Sequence, residues 1–462
     1  MDNENSKDES NLNTITNTVF YQSGNPNDSR NQNRFDDNVN NMIQFEIGYS
    51  EPITDSLKLT FETSFKTQKL RNTKNTFDFD SFTDNYSNFN DLLSNEINSR
   101  NNTFNSAVGI NITKKKYRFN LDFGTDFLNY DNQSNYLGNT ITLKNKYIYP
   151  NVTAFLSYKL AKSKSIYSRY SYSASLPSAE QLLPFENLAN PLNTITGNAF
   201  LKPIESHNLY LNYNNYDYAS RSGLYTYFGG NLRKNQIVSS TVYDSDFKAT
   251  TTYQNIDQTY NFYAGFSLNK SLKKEKRTFK YGFGFGMNFD FNQGLTNAEL
   301  YQAKGIQLNP RVNLSWSIDD LVTIAPSYRY TYNVTSFENY VIDKTNTFIH
   351  TFKIEATTYW PKNIVLGNDF GYTYNSNIAN GFQKDFYLWN VSLGYNFFKE
   401  QLLAKVKVYD LLNQNVNATR TISPTAITDA ENTVLQQYVM FSLTYKLEKF
   451  GKKKDKNRIF IH

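Results

Sequence analysis

RTFKYGFGFGMNFDF, residues 277–291, alternates strictly between two kinds of side chain. Phe279, Tyr281, Phe283, Phe285, Met287, Phe289 and Phe291 fall on one side of an extended chain, and Lys280, Gly282, Gly284, Gly286, Asn288 and Asp290 on the other. A period of two is the signature of a β-strand with one apolar face. At fifteen residues the segment exceeds the usual five or six of a soluble sheet and is long enough to cross a bilayer. The residues opposite the rings are small or polar, so that face does not suit a second apolar sheet as a sandwich requires. A polar interior and an apolar exterior describe an outer-membrane barrel.

Composition agrees with one large domain of this kind. The 462 residues include 36 Tyr and 36 Phe, so rings supply much of the apolar surface. Mean hydropathy is −0.62. No run approaches the eighteen or so apolar residues of a membrane helix, and alternating strands average to polar in any hydropathy window. The absence of Cys excludes disulfides and thiolate metal sites, and three histidines give a metal or catalytic centre little to build on. The net charge of +6 is dispersed along the chain, which argues against nucleic-acid binding. The start, MDNENSKDESNLNT, lacks the basic and apolar regions of a signal peptide, which leads us to expect a truncated part of a longer protein.

Along the chain, residues 1–38 are rich in Asn, Asp and Ser and read as a disordered or extracellular-loop segment. Residues 39–447 read as an outer-membrane β-barrel, and 448–462 as a basic periplasmic tail. The barrel begins with Ile43, Phe45, Ile47 and Tyr49, answered after a turn by Leu57, Leu59, Phe61 and Phe65. About seventeen strands follow in a meander, with short turns at one end, among them Lys114–Lys116 and Lys399–Gln401, and longer polar loops at the other, among them Gln68–Arg100. Consistent sorting of connections by length is the barrel pattern, with the turns in the periplasm. Pro150 and Pro310 fall in otherwise strand-like segments, where a bulge or the end of regular pairing is expected. The loop Ser178–Ser206, with Pro184, Pro191, Gly197 and Pro203, is expected to fold back on itself.

By alternation, Phe279, Phe283, Phe285, Phe289, Trp316, Leu393, Phe441 and Leu443 should face lipid. Lys58, Glu62, Arg118, Asp122, Arg311, Arg329, Lys353, Glu355 and Lys405 should face the lumen. His207 reads as a loop-to-strand residue bonded to its neighbours, and His350 shares a face with Phe348 and Phe352. Neither histidine has a Ser/Asp grouping that would make a hydrolase, so no enzyme and no cofactor are expected.

Two stretches, QLLPFENLANPLNTITGNAFLKPIESHNLYLNY (181–213) and VYDLLNQNVNATRTI (408–422) with VLQQYVMFSLTYKLEKFG (434–451), resemble the C-terminal barrel of Bacteroidota outer-membrane proteins of the TonB-dependent receptor type. The motif residues are Gly197, Asn198, Leu201, Lys202, Pro203, Ser206 and His207; Ala199 stands where that family usually has proline and Ile204 where it has glutamate. The resemblance implies the incomplete C-terminal part of a barrel of about twenty-two strands. It also implies partnership with outer-membrane lipid, with a plug and through it the TonB energy-coupling system, and import of a ligand that the sequence does not identify. The alternative is a non-transporting surface barrel that binds glycans or partner proteins through its extracellular loops. No nucleic-acid partner is implied.

Overall fold

The computed structural model describes residues 2–19, 27–246, 248–319, 321–398 and 401–446. The tail 448–462, and Lys399 and Glu400 of one expected turn, lie outside the described residues. The strands in chain order are β1 (Asp2–Thr18), β2 (Asp28–Thr54), β3 (Leu57–Asp80), β4 (Asn85–Phe89), β5 (Asn95–Thr113), β6 (Tyr117–Tyr136), β7 (Asn139–Ala161) and β8 (Lys164–Ser175). A one-turn helix α1 (Ala179–Leu182) leads to β9 (Glu186–Asn190), β10 (Asn193–Thr196), β11 (Ile204–Asp217), β12 (Ser222–Tyr243), β13 (Ala249–Lys274) and β14 (Arg277–Thr296). The remainder is β15 (Glu299–Leu308), β16 (Arg311–Ile318), β17 (Val322–Glu338), β18 (Lys344–Thr358), β19 (Ile364–Asn375), β20 (Asp385–Phe397), β21 (Leu402–Tyr409), β22 (Asn417–Ile422), β23 (Ile427–Asn432) and β24 (Tyr438–Tyr445).

All but β22 and β23 belong to one 22-stranded sheet. Three of its strands, β4, β9 and β10, are rim pieces, and β15 with β16 forms one interrupted traverse, so the wall has eighteen traverses. Neighbours in the wall are antiparallel and follow chain order, as a meander must, except at the upper end, where β12 pairs in parallel with β14 at Ser240 opposite Leu295 and Thr241 opposite Thr296. From residue 39 onward the wall contains the seventeen traverses expected from the sequence; the eighteenth, β1, lies where a disordered or loop segment was expected. The low hydrophobicity that suggested disorder is real, yet β1 pairs with β2 over its whole length, from Asp2 opposite Gln44 to Thr18 opposite Asp28. Backbone pairing, not apolar burial, organises this segment.

The extra strand does not close the ladder. The apolar part of β2, Phe45–Tyr49, lies beyond the end of β1 and pairs only with β3 among the described residues. At the other end β24 pairs only with β21 among the described residues.

The polar stretch Gln68–Arg100, expected as a loop, is mostly ladder as well. β3 and β5 stay in register from Leu57 opposite Ile112 to Lys74 opposite Asn95. Side-chain bonds between strands accompany the backbone ones, with Thr67 Oγ1 donating to Asn102 Oδ1 at 2.7 Å and Gln68 Nε2 to Asn40 Oδ1 at 3.0 Å. The acidic FDFD run, residues 77–80, forms the top of β3. At the tip of β6–β7 the chain reverses through Leu137 and Gly138, both at positive φ (49° and 69°), the geometry of a two-residue hairpin that glycine favours.

The prolines act differently from each other. Pro310 splits the traverse between β15 and β16, and pairing continues around it through the Gly286–Asn309 backbone bonds. Pro150 sits inside an unbroken β7, in register with Thr125, but pairing of β7 to β8 begins only at Val152. A residue without N–H is tolerated there because that edge of the strand has no ladder partner among the described residues.

Candidate functional site

Register fixes which side chains share a face. Directly opposed residues of antiparallel strands lie on the same side of the sheet. Phe283 is opposite Leu268 on one neighbour and Val312 on the other, and Phe279 is opposite Leu272 and Trp316. Leu393 is opposite Leu366 and Val406, and Val406 is opposite Phe441. Phe279, Phe283, Trp316, Leu393, Phe441 and Leu443 are exposed. Phe285 and Phe289 are half-buried because neighbouring rings cover them, with Phe266 at 6.2 Å and Tyr260 at 5.9 Å between centroids.

On the opposite face, Arg311 stands against Gly284 and Arg329, Lys353 against Ser327 and Gly371, and Glu355 against Ala325 and Asp369. Lys405 is opposite Gly394 and Ser442, Lys58 opposite Asn111, Glu62 opposite Ala107, Arg118 opposite Ser157 and Asp122 opposite Gly109. These nine residues share one face of the sheet but form no single charge cluster. A direct ion pair on this face joins Lys407 Nζ to Asp369 Oδ2 at 3.2 Å.

Five consecutive traverses add a feature that alternation alone did not reveal. Phe155, Tyr167, Tyr210, Tyr227 and Tyr263, one each from β7, β8, β11, β12 and β13, zigzag between two adjacent rows of the polar face. The rings are 5.1 Å apart between Phe155 and Tyr167, 6.0 Å between Tyr167 and Tyr210, and 6.2 Å between Tyr227 and Tyr263. Gly265 makes room for this: a Cβ there would meet the Tyr227 hydroxyl and the Phe285 carbonyl. Tyr227 therefore lies along the wall instead of standing away from it.

The most buried part of the molecule is the connection between β8 and β11. Leu182 and Leu183 have no exposed surface, and Phe185 and Leu201 are nearly as buried. Their partners Ile97, Tyr130 and Leu143 project from the polar face of the upper wall, so this connection folds back over that face, and Ile237 from the upper part of β12 joins the same cluster. Ser178 caps α1 with a reciprocal capping box to Gln181. Strand β10 adds in parallel to the top of β13, and Arg30 Nη1 donates to Leu188 O at 2.8 Å.

The motif residues explain the docking. A Cβ on Gly197 would collide with the backbone of Leu183, and Asn198 N donates to Gln181 O at 2.6 Å. Asn198 Nδ2 donates to Tyr253 O at 2.8 Å. Leu201 and Pro203 are buried, and Lys202 is held through its backbone by Asn255. Ser206 is opposite Arg233 on the polar face. His207 lies on the apolar face, opposite Tyr172 and bonded through Nδ1 to Tyr170 Oη at 2.9 Å. His350 repeats this arrangement with Tyr330 opposite and Tyr328 Oη at 2.5 Å from Nδ1. The motif thus fastens a loop, and His207 belongs to an aromatic band.

A second connection at the same end forms the hairpin β22–β23, which reaches the β17–β18 loop through a bond from Val341 N to Pro424 O at 3.1 Å. Between them is a groove of about 590 Å³ lined by Tyr243, Glu299, Tyr340, Val341 and Pro424 among others.

A continuous antiparallel wall with one apolar and one polar face, and with its long connections gathered at one end, defines a membrane-spanning β-barrel protein. The chain belongs to the outer membrane protein beta-barrel family, whose model matches residues 1–330 and 302–445. A search of curated proteins returned no match. Among solved structures the chain is similar, at 11% identity and a TM-score of 0.47, to FpvA of Pseudomonas aeruginosa in complex with pyoverdine and iron, covering 96% of this chain and 53% of that one. It thus spans about half the length of that chain. The copper transporter OprC matches at 9% identity and a TM-score of 0.43, over 96% of this chain and 79% of that one. The siderophore receptor PirA from Pseudomonas aeruginosa matches at 10% identity and a TM-score of 0.34, over 96% and 78%.

Proposed function

We propose that this chain is the barrel portion of a TonB-dependent-receptor-like protein that imports a scarce ligand across the outer membrane. The observation that carries the reading is the β8–β11 connection, folded back over the polar face and fastened at both ends. A connection packed against the polar face at one end narrows the way along that face, which suits selective passage better than free diffusion. In this reading the apolar face, with Phe279, Phe283, Phe285, Phe289, Trp316, Leu393, Phe441 and Leu443, meets lipid. The polar face, with Lys58, Glu62, Arg118, Asp122, Arg311, Arg329, Lys353, Glu355 and Lys405, lines the lumen and contacts a plug. Energy reaches the plug from the inner membrane through TonB.

Orientation follows from connection length, since such barrels have short periplasmic turns and longer extracellular loops. Residues 114–116 and 162–163 then face the periplasm, and the β8–β11 connection and the β22–β23 hairpin face outward. Unpaired backbone groups in lipid cost several kcal/mol each, so the outer edges of β2 and β24 must find strand partners in the membrane.

The test is uptake in the native host, with the gene present or deleted, for a panel of scarce nutrients including ferric siderophores and copper. The expected result is accumulation of at least one of them that requires the gene and stops when a protonophore collapses the inner-membrane gradient. Accumulation indifferent to both would overturn the reading.

A further inference from the structure

On the apolar face of β2, β3, β5, β6 and β7, one register row consists of Phe45, Phe65, Phe104, Phe127 and Ile148, all exposed. It is the uppermost fully apolar row of that sector. The next row toward the long-connection end contains Ile43, Thr67, Asn102, Asn129 and Lys146, and the row beyond it Asn41, Lys69, Arg100, Asp131 and Lys144. Arg71 follows one row further on. Each row is about 7 Å along the strand, so five cations occupy a band just past the apolar surface.

Their pairing is incomplete. Lys144 is 3.6 Å from Asp131, and Arg71 is 3.2 Å from Asp37. Lys69, Arg100 and Lys146 are exposed, and their side chains make no ion pair or hydrogen bond among the described residues. Lys69 and Arg100 stand directly opposite each other, and like charges in that relation are destabilising unless something neutralises them. An open groove of about 590 Å³ runs across this patch, lined by Val39, Asn41, Lys69, Arg71, Arg100 and Asp131.

We propose that this groove is a binding site for the phosphorylated headgroup of lipid A in the outer leaflet. An anion seated between Lys69 and Arg100 relieves their repulsion. The acyl chains of the same molecule descend along Phe65, Phe104 and Phe127, while the long Lys and Arg stems lie against the sheet with their charges in the headgroup layer. The assignment rests on the proposed orientation, which places this end at the cell surface.

The 462-residue chain, purified in detergent and stripped of lipid, is titrated with phosphatidylcholine vesicles containing lipid A, lipid A without its phosphates, or phosphatidylglycerol. Inorganic phosphate is a separate arm. The expected result is tightest binding to phosphorylated lipid A, weakening with salt. A Lys69→Gln, Arg100→Gln, Lys146→Gln variant should lose roughly a hundred-fold in affinity, at about five-fold per charge. A control with Lys114→Gln, Lys115→Gln and Lys116→Gln, at the opposite end, should bind as the parent does. Should the first variant fail to assemble, as judged by heat-modified gel mobility, Lys146→Gln alone should weaken binding about five-fold. Equal loss in both triple variants, no dependence on the phosphates, or a preference for phosphatidylglycerol or free phosphate overturns the proposal. Those outcomes leave the import reading untouched, because that reading is judged by uptake.

Discussion

Asn255 holds Lys202 by both halves of its amide: the side-chain oxygen accepts from Lys202 N at 2.8 Å and Nδ2 donates to Lys202 O at 3.0 Å. The same Nδ2 donates to Asn235 O at 2.8 Å, so one side chain ties the loop motif to β12 and β13. Replacing Asn255→Ala should cost about 1–3 kcal/mol of local stability. Hydrogen exchange of residues 198–203 should then accelerate while that of β13 below the rim stays unchanged. Unaltered exchange at 198–203 would mean that the buried Leu201 and Pro203 hold the loop without Asn255.

Phe283 lies in the middle of the apolar face, with Phe266 at 5.7 Å between ring centroids. A Phe283→Arg substitution at mid-membrane should cost about 2–4 kcal/mol and lower the yield of assembled barrel. Heat-modified gel mobility in outer-membrane extracts measures that yield. Parental yield would place this side chain outside the hydrocarbon.

In the β22–β23 hairpin the Arg420 guanidinium donates to both carboxylate oxygens of Asp429, at 2.7 and 2.9 Å, and this holds the carboxyl below its usual range. A depressed folded value stabilises the hairpin above the unfolded value near about 4, and that contribution is lost as pH falls through the lower folded value. Exchange protection of 417–432 should therefore be constant from neutral pH down to about 4 and decline below it. In Arg420→Gln the decline should vanish; persistence of the same profile would assign it to another carboxyl.

The proposed orientation places Lys115 in the periplasm. Introduced as the only thiol, Lys115→Cys should resist a membrane-impermeant maleimide added to intact cells and react once the outer membrane is permeabilised. Labelling of intact cells would invert the orientation.

The wall was legible in the sequence because alternation survives in every membrane-level strand, from Ile43–Tyr49 to Tyr438–Tyr445. What lies above that level was less so. β1 and the upper parts of β3 and β5 carry Asn, Thr, Ser and charge on both faces, so no amphipathic period marks them as strand, although the ladder continues through them. The capping box at Ser178 and Gln181 was a readable signal for α1. The inward packing of Leu182, Leu183 and Phe185 was not, since their partners Ile97, Tyr130 and Ile237 are distant in sequence and only register brings them together. The phenylalanine and tyrosine zigzag of Phe155 to Tyr263 escaped for the same reason.

Adjacent residues Asn313 and Leu314 lie on opposite faces of β16, and both are exposed. Because the chain contains no cysteine, a single introduced thiol reports one position. With the protein in its native outer membrane, Leu314→Cys should react with a lipid-partitioned maleimide and be protected from a water-soluble one. Asn313→Cys should show the reverse preference. Water-soluble labelling of both thiols at equal rates would contradict a wall with lipid on one face and an aqueous lumen on the other.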